Sequence, residues 1–255
     1  MRGRSWVVAG LLLAVFAAGC GSTDEPQLVS DPAAASSASI TTTTAVDEPV
    51  QSGTVVARAR NDLVLARAAA DDAAAVVAEL SNPTPVGSAL VFRVLTPAQD
   101  VSQEWIEVML PVRPNGTTGW VRADEMDLSI NPFRIEIDTS DHRLDLYEDD
   151  TVVVSTDIAV GTGSTPTPYG DFYLAELLEP PDPGGSYGPY AFGLSGYSEV
   201  LDSFAGGDGV IGIHGTNEPD ALGTDVSHGC VRVLNEVIEM MAERVPLGTP
   251  VSIQV

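Results

Sequence analysis

Apolar and polar residues alternate from Phe133 to Asp138 (Phe-Arg-Ile-Glu-Ile-Asp), and again from Arg143 to Tyr147 after the turn residues Ser140 and Asp141. A period of two puts every second side chain on one face, so such a segment buries its apolar half only as a strand. Strand-forming runs recur at Thr151–Ala159, Asp171–Leu174 and Gly209–Ile213, with a last alternation at Val251, Ile253 and Val255. After Asn235, placed to cap a helix, Ile238, Met241, Ala242 and Val245 share one face, and Pro246 and Gly248 stop it. This half of the chain is therefore expected to be mainly β, with one helix near its C-terminal end. His142, in the turn, reads as a solvated loop residue.

The preceding stretch is expected to be a separate small β domain. Thr54–Ala57, Ala89–Leu95 and Trp105–Leu110 are β-rich, Pro114-Asn115-Gly116 signals a turn, and Gly119-Trp120-Val121 starts another strand. Ala66–Leu80 conflicts with this, because its alanines favour a helix; it stays open between helix and loop. Trp105 and Trp120 either line a groove or fill the core, and the usual burial of tryptophan favours the core. Asn131-Pro132 marks the boundary, giving domains at 54–130 and 131–255. A chain of 255 residues accommodates both.

Upstream, Arg2 and Arg4 precede an apolar run from Trp6 to Ala18 that ends in Ala17-Ala18-Gly19-Cys20. The run is too short to span a bilayer but suits a signal peptide, residues 1–20. Its small residues before a cysteine resemble a bacterial lipobox, with Ala17 where leucine is usual, and the resemblance implies lipidation at Cys20. The expected location is then the outer face of the cell membrane. Residues 21–53 are rich in Ser, Thr, Ala, Pro and acidic residues, the composition of a disordered tether with a root-mean-square span of about 30 Å.

Composition narrows the chemistry. The net charge of −24 argues against nucleic acid as a partner. All 12 basic residues are arginine, which removes Schiff-base lysines, a phosphate-loop lysine and a Ser–Lys dyad. What remains is concentrated in Ile211–Val233, which holds His214, His228 and Cys230, two of the three histidines and one of the two cysteines. Gly212, Gly215 and Gly229 flank them and let the backbone approach a substrate. With Cys20 assigned to the anchor, Cys230 is a lone thiol beside imidazoles, the makings of a Cys–His nucleophile site in which the imidazole turns thiol into thiolate. The same three side chains are also workable zinc ligands, but no glutamate base stands at a recognisable spacing. The residues alone leave the base open: the i, i+2 spacing of His228 and Cys230 favours His228.

Thr165-Pro-Thr-Pro168-Tyr-Gly170 with Phe172, His214-Gly215-Thr216 and Ser227-His228-Gly229-Cys230-Val231-Arg232 together resemble the L,D-transpeptidase (YkuD-type) catalytic domain, over roughly Pro132 to Val255. The Trp105…Leu-Pro-x-Arg113-x-Asn-Gly-x-x-Gly-Trp120-Val pattern resembles a bacterial SH3-like barrel, so the implied architecture is an SH3-like β-barrel followed by the β-rich catalytic domain. The resemblance implies action on peptidoglycan stem peptides without a cofactor: Cys230 attacks the L,D bond of a donor tetrapeptide, D-alanine leaves, and the acyl group passes to an acceptor amine. It favours His214 as base, steered by the Gly215 carbonyl, with His228, Gly229 and the Cys230 amide around the oxyanion and Ser227 supporting the loop. Arg232 would grip a stem carboxylate. Glu179–Tyr197, rich in Gly, Pro and aromatics, is expected to be an irregular loop over the donor site, with Tyr190, Phe192 and Ser195 facing substrate. Water as acceptor would make the same site an L,D-carboxypeptidase. A wall-binding lipoprotein without activity is the remaining alternative, and it would have no use for the intact Cys–His set.

Overall fold

The computed structural model describes residues 53–101, 103–203 and 207–255. The expected signal peptide, Cys20 and the tether up to residue 52 lie outside the described residues.

Seven strands come first among the described residues: β1 (Thr54–Ala59), β2 (Leu63–Arg67), β3 (Val76–Ser81), β4 (Val91–Arg93), β5 (Trp105–Met109), β6 (Thr118–Arg122) and β7 (Met126–Asn131). They form two antiparallel sheets, ordered β4-β1-β7 and β3-β2-β6-β5. Alternate residues of both sheets, among them Ala57, Phe92, Ile106, Val108 and Val121, share one core. Trp105 is buried with the Arg122 guanidinium 5.3 Å from its ring centroid, whereas Trp120 is only partly covered. Ala66–Leu80 is neither helix nor plain loop. It is most of the β2–β3 hairpin, with Ala66 paired to Ala78 and the Asp71 carboxylate accepting the Ala73 N–H in the connection. Strand pairing outweighs the alanines' helix preference, which amounts to only tenths of a kcal/mol per residue.

The remaining strands are β8 (Phe133–Asp138), β9 (Arg143–Glu148), β10 (Thr151–Asp157), β11 (Val160–Gly161), β12 (Gly170–Leu178), β13 (Ala191–Tyr197), β14 (Val210–His214), β15 (Asp225–Ser227), β16 (Val231–Arg232) and β17 (Pro250–Gln254), with helix α1 (Asn235–Arg244) before the last. Eight of them make one sheet, β10-β9-β8-β17-β12-β13-β14-β16, while β11 and β15 pair in parallel beside it. The period-two reading of β8 and β9 is realised: Phe133, Ile135, Ile137, Leu144 and Leu146 are buried, their neighbours partly exposed. Each such side chain contributes about 1.5–3 kcal/mol on burial. Ile238 and Met241 of α1 close the same core.

Two expectations fail locally. Ala191–Tyr197, expected to be irregular, is the strand β13 between β12 and β14. Its Gly193 and Gly196 lower its strand preference, and pairing on both edges supplies what the residues lack. Asn235 does not cap α1 with its side chain; the capping position is Leu234, and Asn235 Oδ1 accepts the Thr216 N–H at 2.7 Å instead.

The two cores meet at Val56, Val91 and Met109 from the first and Tyr173 and Ala175 from the second. At the predicted boundary Asn131 ties them further, donating to Thr249 Oγ1 at 2.8 Å and accepting the Phe133 N–H.

Candidate active site

Strand β14 carries the alternation that builds the site. Ile211 and Ile213 point into the core, so Gly212 and His214 belong to the opposite face. In the parallel pairing with β16, Ile213 stands opposite Val231 and His214 opposite Arg232. Cys230, one residue before β16, is thereby brought against Gly212, whose backbone is bonded to the thiol. His214 and Cys230 border the same two cavities, of about 240 and 500 Å³.

His214 is buried, 4% exposed, and its Nδ1 lies 2.7 Å from the Gly215 carbonyl oxygen. A carbonyl only accepts, so Nδ1 donates and, in the neutral ring, Nε2 is bare. The Tyr187 ring covers the imidazole, centroids 4.6 Å apart and planes tilted by 49°. Burial brings the His214 pKa down to about 4, against a weaker opposing pull from the Gly215 bond. Burial likewise pushes the Cys230 thiol up, offset in part by the Gly212 bond and the Arg232 charge. Both shifts favour the uncharged forms, because a low-dielectric surrounding penalises charge. The resting pair at neutral pH is thus thiol and imidazole, not the thiolate that a bare Cys–His motif suggests.

The turn that delivers Cys230 is closed by Ser227. Its hydroxyl donates to the Cys230 carbonyl at 2.5 Å and accepts the Gly229 N–H at 3.1 Å. Gly229 needs its φ of +120°, and a Cβ there would stand 2.9 Å from Ile211 Cδ1. Behind the turn, Thr167 accepts the Gly161 N–H and donates to the Gly229 carbonyl, both at 2.9 Å, and Thr165 donates to the Ser227 carbonyl at 3.2 Å.

Cys230, His214, Ser227, His228 and Arg232 all border the smaller cavity, with His228 exposed at its rim. Gly215 holds the His214 ring. Gly229, expected around the oxyanion, gives its own N–H to Ser227 Oγ. Arg232 donates from Nη1 to Glu218 at 2.9 Å, while its buried Nε has no hydrogen-bond partner among the described residues. Phe192 is buried in the core, although it reaches the floor of the larger cavity. Ser195 does not face substrate: it is buried, accepts the Tyr173 N–H at 3.1 Å and points to Met109 Sδ. The strand alternation of β13, unseen in the sequence, puts it on the face opposite Phe192 and Leu194, where Met109 of the first module covers it. Tyr190 packs on the core and its carbonyl accepts the Gly215 N–H. The aromatic residue that does border both cavities is Tyr187, set between Gly185 and Gly188 in the run expected to cover the site. His142, read as solvated, contacts Asp225 at 2.8 Å. Among the described residues, no three His, Cys, Asp or Glu side chains are grouped to hold a metal ion.

Residues 132–253 match the family of the L,D-transpeptidase catalytic domain named YkuD. Over 122 residues, 48% of this chain and 66% of the relative, the chain is 39% identical to the Bacillus licheniformis protein YkuD, named as an L,D-transpeptidase. The Bacillus subtilis protein of the same name is 35% identical over a stretch of the same extent. The chain thus spans just under two thirds of the length of these curated relatives. An L,D-transpeptidase from Mycobacterium smegmatis is similar in structure with a TM-score of 0.41 at 16% identity, covering 64% of this chain and 82% of that one. The segment from 132 to 253, site included, is thus similar to the YkuD family of L,D-transpeptidase catalytic domains.

Proposed function

We propose that the protein is a peptidoglycan L,D-transpeptidase with Cys230 as nucleophile and His214 as base and acid. The observation that carries this reading is the His214 Nδ1–H fixed on the Gly215 carbonyl, which leaves Nε2 to serve a thiol that borders the same cavities. Starting from a neutral pair, the thiol proton moves to Nε2 as Sγ bonds to the carbonyl carbon at the L,D bond of a donor tetrapeptide. In this reading the Cys230 N–H receives the oxyanion, and Arg232 favours the developing negative charge. The amide C–N bond then breaks, and the proton on His214 goes to the departing D-alanine amine. An acceptor amine attacks the thioester, gives its proton to His214, and restores the thiol, leaving a 3-3 cross-link.

The first module fits a bacterial SH3-like barrel in having two small antiparallel sheets around one core. We read it, with a lipid anchor at Cys20 and the tether of 21–53, as holding the enzyme at the outer face of the membrane near the wall. Incubation with a disaccharide-tetrapeptide tests the central reaction: mass analysis is expected to show a dimer lacking one D-alanine, and none with Cys230→Ala. Tripeptide alone would assign the site to L,D-carboxypeptidase hydrolysis, and no product would end the enzymatic reading. Radiolabelled fatty acid should enter the wild type and not Cys20→Ser.

A further inference from the structure

The larger cavity is not made by the catalytic domain alone. Val86, from the first module and 48% exposed, borders it, as do Asp208 and Gly209. Asp208 and Gly209 are held by the first module too. Arg113, in the turn between β5 and β6, donates from Nη1 to the Ser198 carbonyl at 2.8 Å, and from Nη2 to those of Leu201 and Asp208 at 2.9 and 3.0 Å. Its guanidinium also lies 4.8 Å from the Tyr197 ring centroid. Asn115 exchanges two hydrogen bonds with the Tyr197 backbone, at 2.8 and 2.9 Å, and the Tyr197 hydroxyl donates to the Pro111 carbonyl at 2.8 Å. On the Val86 side, the Ser88 hydroxyl bonds both the N–H and the carbonyl of Leu177, next to Leu178 of the cavity. Gly209 has φ +71°, and a side chain there would collide with the Leu201 carbonyl, so the fit around the guanidinium is close.

We propose that the first module is a working part of the substrate site, with Val86 a contact and Arg113 a positioning residue that fixes the Asp208–Gly209 wall. One charged fork on three carbonyls joins both described ends of the β13–β14 connection, a bonding that a surface module tethered only for wall attachment does not require. The inference rests on the transpeptidase reading for the identity of the peptide, but its test does not need turnover.

The test measures binding of a disaccharide-tetrapeptide to the full chain carrying Cys230→Ala, with and without Arg113→Ala, Arg113→Lys or Val86→Trp. Arg113→Ala is expected to weaken binding about tenfold, the order of one charge-assisted hydrogen bond lost from the wall. Arg113→Lys should recover part of the loss. Val86→Trp, at an exposed position that folding tolerates, should weaken binding several-fold by narrowing the cavity. In the Cys230 background, iodoacetamide should label Arg113→Ala as fast as wild type, because the Cys–His turn is untouched. Unchanged binding in both Arg113→Ala and Val86→Trp would overturn the proposal, as would a fall in labelling that matches the fall in binding. A wild type that binds without turning over would instead remove the transpeptidase reading and leave this inference standing.

Discussion

Acidification singles out His214, because its burial has a calculable effect on stability. The imidazole is 4% exposed and its pKa is held at about 4. In the unfolded chain it returns to the ordinary value near 6.5. Above that value neither state binds the proton and the group contributes no pH dependence. Below it the unfolded chain takes up a proton that the folded chain refuses, so stability is lost as pH falls through the window from 6.5 to 4. At pH 5 the loss is about 2 kcal/mol, rising to about 3 kcal/mol once pH passes below 4. Carboxylates titrate in the same range, so the measurement is a difference: urea unfolding of wild type and of His214→Gln at pH 7 and pH 5. The glutamine variant keeps the carboxylates and lacks this proton site. Wild type should lose about 2 kcal/mol more than the variant between the two pH values. Equal losses would mean that His214 is not kept neutral by burial, and the neutral-pair mechanism would fall with that argument.

Three further outcomes follow from the same site. Alkylation of Cys230 by iodoacetamide should keep accelerating with pH through the range where an ordinary cysteine has already ionised, since burial pushes the thiol up; a plateau below neutral pH would indicate an ion pair. Thr167→Val strips the buried Gly161 N–H and Gly229 carbonyl of their partner, and urea unfolding should register a loss of about 1–3 kcal/mol with a reduced kcat. Gly229→Ala, at φ +120°, should cost about 1–3 kcal/mol and depress transfer more than Ser227→Thr does.

The candidate reactive residues are more legible in the sequence than the bonds that support them. His214 and Cys230 stood out because they are scarce and flanked by glycine, and β8 and β9 because their alternation reports one buried face. Strand β13 did not stand out: two glycines and a serine give it no period, and only its partners on both edges make it a strand. Without that strand the sequence places Ser195 in the groove, whereas it is buried beside Tyr173 and Met109. The supporting bonds of Thr167 and Asn235 join residues 62 and 19 positions from their partners, a distance at which local pattern carries no signal. The hold of Arg113 on the β13–β14 connection was hidden for the same reason. The direction of the His214 and Cys230 shifts depends on burial, which no motif encodes.

The most direct trial of the account is the intact mass of the full chain, quenched in acid seconds after mixing with a tetrapeptide stem. A species heavier by the stem less its D-alanine is expected, mapped by fragmentation to the sulfur of Cys230 and missing from Cys230→Ala. Cross-linked product formed with that sulfur unmodified, or an adduct that persists in Cys230→Ala, would contradict it.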